Sequence, residues 1–277
     1  MEEALLRAVL FGTPILLAGL GALLAERSGV VNLGVEGMMA LAALTAFAAA
    51  QAYGPLPGVL AAFGVGALSG LFLGLFAVTL RANQFVAGLA VAALGLGASG
   101  LPGESCQGLP PAPPSPPGGL ALLAAALALL VHLFLTRTRT GLFLRSAGEN
   151  PKAVDLFGVG VDGVRYLALG LGGGLIGLAG AYLSLAYRPS WTDGMTAGLG
   201  WVAIALVILA AWHPLRALLG AYFFGLLFFL QFRLQGSVPI PGGAFAAVPY
   251  LLVILVLALS GRSRAPKALG QPFERGR

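Results

Sequence analysis

Long apolar runs separated by short polar stretches repeat along nearly the whole chain. Most runs match the length of a helix that crosses a hydrocarbon core of about 30 Å, which takes roughly 20 residues. Because lipid offers no partner to an unpaired backbone amide, and no alternation with a period of two favours a barrel, we expect helices. The predicted fold is all-α, a polytopic transmembrane helical bundle of about nine spans. The spans are Ala4–Ala25, Gly37–Tyr53, Leu56–Leu80, Phe85–Leu101, Gly119–Thr136, Tyr166–Tyr187, Leu199–Trp212, Leu215–Arg233 and Ala246–Ser260.

The composition supports a membrane location. Hydrophobic residues make up 58% of the chain, whereas charged residues make up only 9%. A soluble domain of 277 residues could not bury that much apolar surface. We therefore expect a multi-pass membrane protein, in which the short seventh run, Leu199–Trp212, needs neighbouring residues to help it cross.

The distribution of Lys and Arg predicts the orientation of the bundle. If the charged segment 137–165 is cytoplasmic, the predicted spans place most basic residues on that side, including Arg27, Arg81 and those of the tail 262–277. This asymmetry follows the positive-inside rule, and it predicts an external amino terminus and a cytoplasmic carboxy terminus. The domain organisation is then one transmembrane domain, 1–261, followed by the basic cytoplasmic tail. The arginines left outside are Arg7, Arg188 and Arg233.

Glycines at short helical spacing predict close helix packing. Small residues at this spacing let helix backbones approach where no hydrophobic effect drives association. We therefore expect the third span and the sixth span each to pack closely against a neighbouring helix through their glycines. These are Gly66, Gly70 and Gly74 in the third span, and Gly170, Gly173, Gly174 and Gly177 in the sixth.

Residue types that carry catalysis are scarce. The chain has one cysteine, Cys106, and two histidines, His132 and His213, which stand apart in the sequence and form no metal-binding pattern. No nucleophile elbow is present, no carboxylates pair within one span, and neither Lys152 nor Lys267 lies in a Walker A motif. We therefore expect no enzymatic activity, and no metal or cofactor bound by this chain.

An ion-coupled secondary carrier is the alternative class of transporter, and a membrane enzyme or assembly factor is a further alternative. Secondary carriers hold ionisable residues at mid-membrane depth, where such groups are costly and persist for function. The predicted spans contain almost none, and Glu36 is the clearest candidate. This shortage favours a conduit whose energy is supplied by another subunit.

The segment Glu26–Met39 breaks the apolar pattern between the first two spans. It carries Gly29 and Gly34, which loosen the backbone, together with Asn32 and the carboxylate of Glu36. These features suit an unwound segment that lines a polar cavity. They suit equally an ordinary cytoplasmic turn in which the charges at the start of the segment are solvated.

Three sequence motifs resemble those of a known family. They are ERSGVVNLGVEGMM at Glu26–Met39, RANQFVAGLAV at Arg81–Val91 and RSAGENPKAVDLFGV at Arg145–Val159. Each is similar to a motif of the integral membrane permeases of ABC importers for nucleosides and simple sugars, the group that works with lipoprotein receptors of the basic-membrane-protein type. The resemblance covers nearly the whole chain, but the proline-rich loop Pro102–Pro117 departs from the family pattern.

The resemblance implies partners, substrate and location. It implies a bacterial-type cell membrane, a separate ATPase subunit that binds ATP and Mg²⁺, an extracytoplasmic substrate-binding lipoprotein and a second permease subunit, either a paralogue or a second copy. No nucleic acid partner is expected, because no aromatic residues interleave with the basic ones. The substrate would be a nucleoside or simple sugar, with another small polar solute, such as an amino acid or vitamin, as the alternative.

The resemblance also implies that segment 137–165 holds a coupling helix that docks on the ATPase subunit. The residues support a short helix, because Asn150 can cap it, Pro151 suits its first position and Gly158 can end it. Ala153, Val154 and Phe157 would form one apolar face. A helix that lies on the lipid surface fits these residues too. The predicted coupling residues are Gly148, Glu149, Asn150, Pro151, Ala153, Val154, Phe157 and Gly158.

Polar groups that could meet a sugar hydroxyl or a base edge are few. The predicted pathway residues are Asn32, Gly34, Glu36 and Gln84, and Asn83 is a further polar group beside them. Asn32, Glu36 and Asn83 could equally cap helices or form turns at the cytoplasmic rim.

Overall fold

The computed structural model of the chain describes residues 2–111, 117–234 and 265–274, together with positions 251, 254, 255 and 258. Within these residues the chain is helical and contains no strand, as the apolar runs predict. The helices are α1 (Glu2–Arg27), α2 (Val35–Tyr53), α3 (Pro55–Gly74), α4 (Gln84–Gly103), α5 (Pro117–Arg137), α6 (Arg139–Glu149), α7 (Pro151–Leu156), α8 (Val161–Tyr182), α9 (Leu199–Leu209) and α10 (Pro214–Leu234). Short π-helical turns at Leu75–Thr79 and Leu183–Tyr187 continue α3 and α8.

Seven of the described helices are long and apolar enough to cross a membrane. They coincide with the first six predicted spans and with the eighth. The seventh predicted span, Leu199–Trp212, coincides with the shorter apolar helix α9. The ninth, Ala246–Ser260, lies outside the described residues except for isolated positions.

The sixth span begins earlier than the sequence predicts. The prediction places its start at Tyr166 and assigns Arg165 to the cytoplasmic segment, but α8 begins at Val161 and Arg165 is buried within it. The guanidinium of Arg165 donates to the backbone carbonyl of Gln271 in the tail at 3.2 Å. This backbone acceptor offsets part of the cost of burying the charge. The helix therefore starts five residues before the predicted span, because hydropathy alone ends an apolar run at the first charge.

Glycines set the spacing between the central helices, as predicted. On α3, a Cβ added to Gly66 would collide with the carbonyl oxygen of Gly173, and one added to Gly70 with that of Leu169. On α8, a Cβ on Gly177 would collide with the backbone of Ala62. The two helices therefore touch backbone to backbone, which only small residues allow.

Three segments meet at one end of the bundle, which we call the loop end: the turn between α1 and α2, the segment 138–160 and the tail 265–274. The amide of Ala268 donates to the carbonyl of Gly148 at 2.8 Å, and the amide of Gly270 donates to the carbonyl of Gly29 at 3.1 Å. The distribution of Lys and Arg predicts that these three segments lie on the same side of the membrane, and in the structure they are in contact.

The contact between α3 and α8 yields a stability prediction. Gly70→Ala places a methyl group against the carbonyl of Leu169, so the two helices must separate. We expect a loss of about 1–3 kcal/mol in the free energy of unfolding, seen as a lower thermal midpoint of the purified protein in detergent.

The matched control is Gly64→Ala on the same helix, where an added Cβ meets no atom within 4 Å. Alanine has the better helix propensity, so this variant should be unchanged or slightly more stable. Equal midpoints for the two variants would show that the glycine contact does not hold the helices together.

Candidate functional site

The polar break between α1 and α2 enters the bundle. α1 ends at Arg27 and α2 begins at Val35, and the chain between them is not helical. Its residues are buried except for the half-buried Leu33, and Asn32 is only 1% exposed. The alternative of an ordinary turn with solvated charges disagrees with this geometry, because Glu26 is also buried and accepts a hydrogen bond from the indole Nε1 of Trp212 at 2.6 Å.

The non-helical segment between α1 and α2 runs along α4, from the loop end into the bundle. The amide of Val31 donates to Gln84 Oε1 at 2.8 Å, at the first residue of α4. Further along, Gly37 packs against Ala92. Eight residues of helix separate Gln84 from Ala92, a rise of about 12 Å. Helix α2 therefore starts well inside the bundle, in agreement with an unwound segment.

Glu36 joins the start of α2 to the start of α9. Its carboxylate accepts three hydrogen bonds, from Thr196 Oγ1 at 2.6 Å, from the amide of Gly198 at 2.8 Å and from the amide of Gly200 at 2.7 Å. The first amides of a helix lack partners within it and carry partial positive charge, so a carboxylate is well matched to them. Glu36 is thus a cap, as one interpretation of the sequence held, but it caps a helix far away in the sequence.

Helix α9 covers only the half of the bundle towards the loop end. Before α9, Trp191 is buried against Gly103, the last residue of α4. The chain that leads into α9 therefore starts at the end of the bundle opposite the loop end. Residues 192–198 then run inward to Glu36 without forming a helix. Ala197 and Gly198 take positive φ angles of 47° and 83° to make the final turn. After α9, the carbonyl of Trp212 accepts from Arg27 Nε at 2.9 Å, at the loop end. The predicted seventh span does not cross the bundle as a helix on its own.

The remaining predicted pathway residues also shape the backbone. Asn32 Oδ1 accepts from the amide of Gly34 at 2.9 Å. Gly34 has no room for a side chain, since an added Cβ would lie 2.9 Å from Val91 Cγ1. Gln84 fixes Val31 through its oxygen, whereas its Nε2 is buried and has no hydrogen-bond partner among the described residues. Asn83 caps α4 by accepting from the amides of Phe85 and Val86.

The short helix predicted between Asn150 and Gly158 is present as α7. Asn150 Oδ1 accepts from the amide of Ala153 at 3.2 Å, Pro151 is the first helical residue, and Gly158 follows the helix with a φ of 76°. These predictions are confirmed. The prediction of one apolar face shared by Val154 and Phe157 is wrong.

Val154 and Phe157 point in different directions. Val154 is 1% exposed and packs into the core, whereas Leu156 and Phe157 are 88% and 82% exposed. Because α7 has only six residues and Phe157 lies just past its end, the core contact of Val154 does not extend to Leu156 and Phe157. Leu156 and Phe157 therefore form an exposed apolar pair at the loop end, where Glu149 is also exposed.

The tail segment 265–274 was missed by the sequence analysis. Ala268 is buried at the loop end, and Leu269 packs against the core. Gly148 packs so closely on the carbonyl of Arg27 that no Cβ fits, so the tail, the segment before α7 and the end of α1 form one contact. The only signal in the sequence is a short apolar stretch within an otherwise basic tail.

The two histidines adjoin one another, although they stand apart in the sequence. The rings of His132 and His213 lie 5.2 Å apart between centroids. Burial lowers the pKa of His213, and the basic neighbours His132, Arg216 and Arg27 lower it further. The same positive charges disfavour a cation at this pair. Among the described residues, no group of three or more His, Cys, Asp and Glu side chains could hold a metal ion.

Comparison with known proteins gives a consistent result. The family model described as branched-chain amino acid transport system, permease component, matches residues 4–257. A putative glucose ABC transporter permease protein of Haloferax volcanii is 38% identical, over 95% of this chain and 94% of its own length. The guanosine ABC transporter permease protein of Bacillus subtilis is 32% identical, over 97% and 95%. The nucleoside ABC transporter permease protein of Lactococcus lactis is 33% identical, over 95% and 93%. No solved structure matches the chain.

The Glu36 cluster yields a second prediction. Glu36→Gln keeps the size of the side chain but turns an NH₂ donor towards the amide of Gly198 or Gly200. One backbone donor then loses its acceptor, at a cost of about 1–3 kcal/mol. We expect a lower thermal midpoint, together with faster alkylation of a cysteine placed at Met195 in a Cys106→Ser background, because the segment before α9 loosens.

Glu104→Gln is the matched control, since it makes the same change at an exposed carboxylate. It should leave both measurements unchanged. If Glu36→Gln behaved like this control, the carboxylate would not be what holds the start of α9.

Proposed function

The chain belongs to the family of branched-chain amino acid transport system permease components, and from this premise we propose that it forms the membrane pathway of an ATP-driven importer for a nucleoside or simple sugar. The observation that carries the proposal is the end-to-end likeness to three permease proteins named for glucose, guanosine and nucleosides. Such a subunit is not itself an enzyme.

The proposed assembly places this chain between three partners. The loop end faces the cytoplasm and contacts a separate ATPase subunit. That subunit binds ATP and Mg²⁺. An extracytoplasmic lipoprotein delivers the substrate to the opposite end. A second permease subunit, a paralogue or a second copy, completes the pathway in a bacterial-type cell membrane. The transmembrane domain 1–261 then carries the basic tail 262–277 on its cytoplasmic side, as the positive-inside rule requires.

We assign coupling to the segment from Gly148 to Gly158. It stands at the loop end, and it presents Leu156 and Phe157 to solvent although apolar side chains gain by burial. A groove in the ATPase subunit would bury both. Gly148, Asn150 and Pro151 set the position and direction of α7, and Val154 anchors it to the core.

We assign the pathway wall to the two interior helix starts. Asn32, Gly34, Glu36 and Gln84 hold the break and the segment 192–198 in place. Transporters commonly build substrate sites from discontinuous helices whose amino-terminal ends lie inside the membrane. In this proposal the four residues hold the backbone that forms the wall of the pathway, and they do not contact the substrate themselves.

The proposal is tested by transport in liposomes. The chain reconstituted with its ATPase, second permease and receptor should take up guanosine or a simple sugar only when ATP is supplied. An ion-coupled secondary carrier would behave differently, because the chain alone would accumulate substrate from a proton or sodium gradient. Uptake of that second kind would refute the importer.

The exposed pair on α7 yields a further prediction. Phe157→Asp should place an unpaired charge in the groove of the ATPase subunit, where desolvation costs several kcal/mol. We expect the ATPase to be lost from pull-downs and ATP-dependent uptake to fall, while the thermal midpoint of the isolated chain is unchanged because the residue is exposed.

Leu109→Asp provides the control, as Leu109 is an exposed leucine in the connection between α4 and α5, at the other end of the bundle. ATPase association should survive this change. Normal pull-down with Phe157→Asp would remove α7 from the interface.

A further inference from the structure

A cavity of about 230 Å³ lies between α1, α8, α10 and the segment before α9. Its wall includes Phe11, Tyr187, Arg188, Phe228 and Gln231. An engineered cavity of about 150 Å³ holds one benzene ring. The larger cavity therefore has room for a planar ring with polar groups at its edge.

The cavity occupies the half of the bundle away from the loop end. Ala197 and Leu199 border it where α9 begins, next to the amides that Glu36 holds. Gln231 lies 17 residues beyond Pro214, the first residue of α10, a rise of about 26 Å. In the proposed orientation, this half faces the receptor that delivers the substrate.

Three aromatic rings line the wall. Phe11 and Tyr187 meet edge to face with ring centroids 5.2 Å apart, and the guanidinium of Arg188 lies 5.8 Å from the centroid of the Tyr187 ring. Phe228 contributes a third ring from α10. Rings in such positions bind flat, polarisable groups by stacking and edge contacts.

The polar groups of the wall are few and well placed. The carboxamide oxygen of Gln231 is buried and has no hydrogen-bond partner among the described residues. A buried acceptor without a donor is costly, so a ligand that supplies an N–H or O–H gains that interaction. Arg188 supplies donors on the same wall.

We propose that this cavity binds the nucleobase of a nucleoside, with the rings of Phe11, Tyr187 and Phe228 around the base and with Gln231 and Arg188 at its polar edge. A hexose carries hydroxyl groups around its whole rim and would leave several of them without partners against this mainly apolar wall. The inference rests on the proposed function and deepens it, because it selects a nucleoside over a simple sugar.

The first test is binding to the purified full-length chain in detergent, with radiolabelled guanosine and glucose as probes. Guanosine should bind saturably, and an excess of glucose should not displace it. Phe228→Ala removes a ring and should weaken binding at least about fivefold, given what stacking of a base on an aromatic ring contributes. Gln231→Leu removes the amide and should weaken binding about tenfold.

Two variants on the same helix serve as controls. Phe223→Ala and Leu230→Ala shorten side chains that are partly exposed and do not border the cavity. Both should bind guanosine as the unmodified chain does. Unchanged binding in Phe228→Ala and Gln231→Leu, or displacement of guanosine by glucose, would overturn the inference.

A protection measurement does not depend on variants that lose binding. In a Cys106→Ser background, Met195→Cys, on the cavity wall but outside the contacts proposed for the base, should react with N-ethylmaleimide more slowly when guanosine is present, and glucose should not slow it. Equal rates with and without guanosine would count against the site. Failure of the importer proposal is distinguishable, since the unmodified complex would then show no ATP-dependent uptake whatever the cavity binds.

Discussion

The hydrogen bonds to the Glu36 carboxylate are the constraint on which the interior of this protein depends. A helix that begins inside a membrane bundle presents amides without partners, and no lipid group can satisfy them. Glu36 meets two amides at the start of α9 as well as the hydroxyl of Thr196. Asn32 meets the amide of Gly34, just before α2. The amides before α2 and at the start of α9 are therefore both satisfied by side chains from the segment Glu26–Met39. This arrangement also fixes Ala197 and Leu199 at the border of the cavity.

Glycine contacts provide the frame around this polar centre. Backbone contacts join α3 to α8, and others join α1 to α10, where a Cβ on Gly225 would collide with the carbonyl of Ala8. Contacts of this kind leave little freedom for sliding, because carbonyl groups fill the space that side chains occupy elsewhere. A rigid frame explains how the short helix α9 and the irregular chain before it keep a fixed position without crossing the bundle as one helix.

The loop end links the polar centre to the exposed helix α7. Gly148 sits against Arg27, and the tail is hydrogen-bonded both to Gly148 and to Gly29, at the start of the break. A displacement of α7 by an ATPase subunit would therefore act on the same backbone that positions the break. Arg165 adds a buried charge to this contact and ties α8 to the tail.

The sequence by itself determined the helical fold, the positions of seven long spans and the glycines at which helices pack closely, but not which helices meet there, because hydropathy and small-residue spacing are local properties. It also determined the cap at Asn150 and the end at Gly158, which depend on neighbouring residues only. Only the tertiary structure decided that Glu36 caps α9, since its partners lie more than 150 residues away. The same holds for the burial of Arg165, the docking of the tail and the exposure of Phe157. Each of these depends on which distant surface a side chain meets, and no local pattern in the chain encodes that choice.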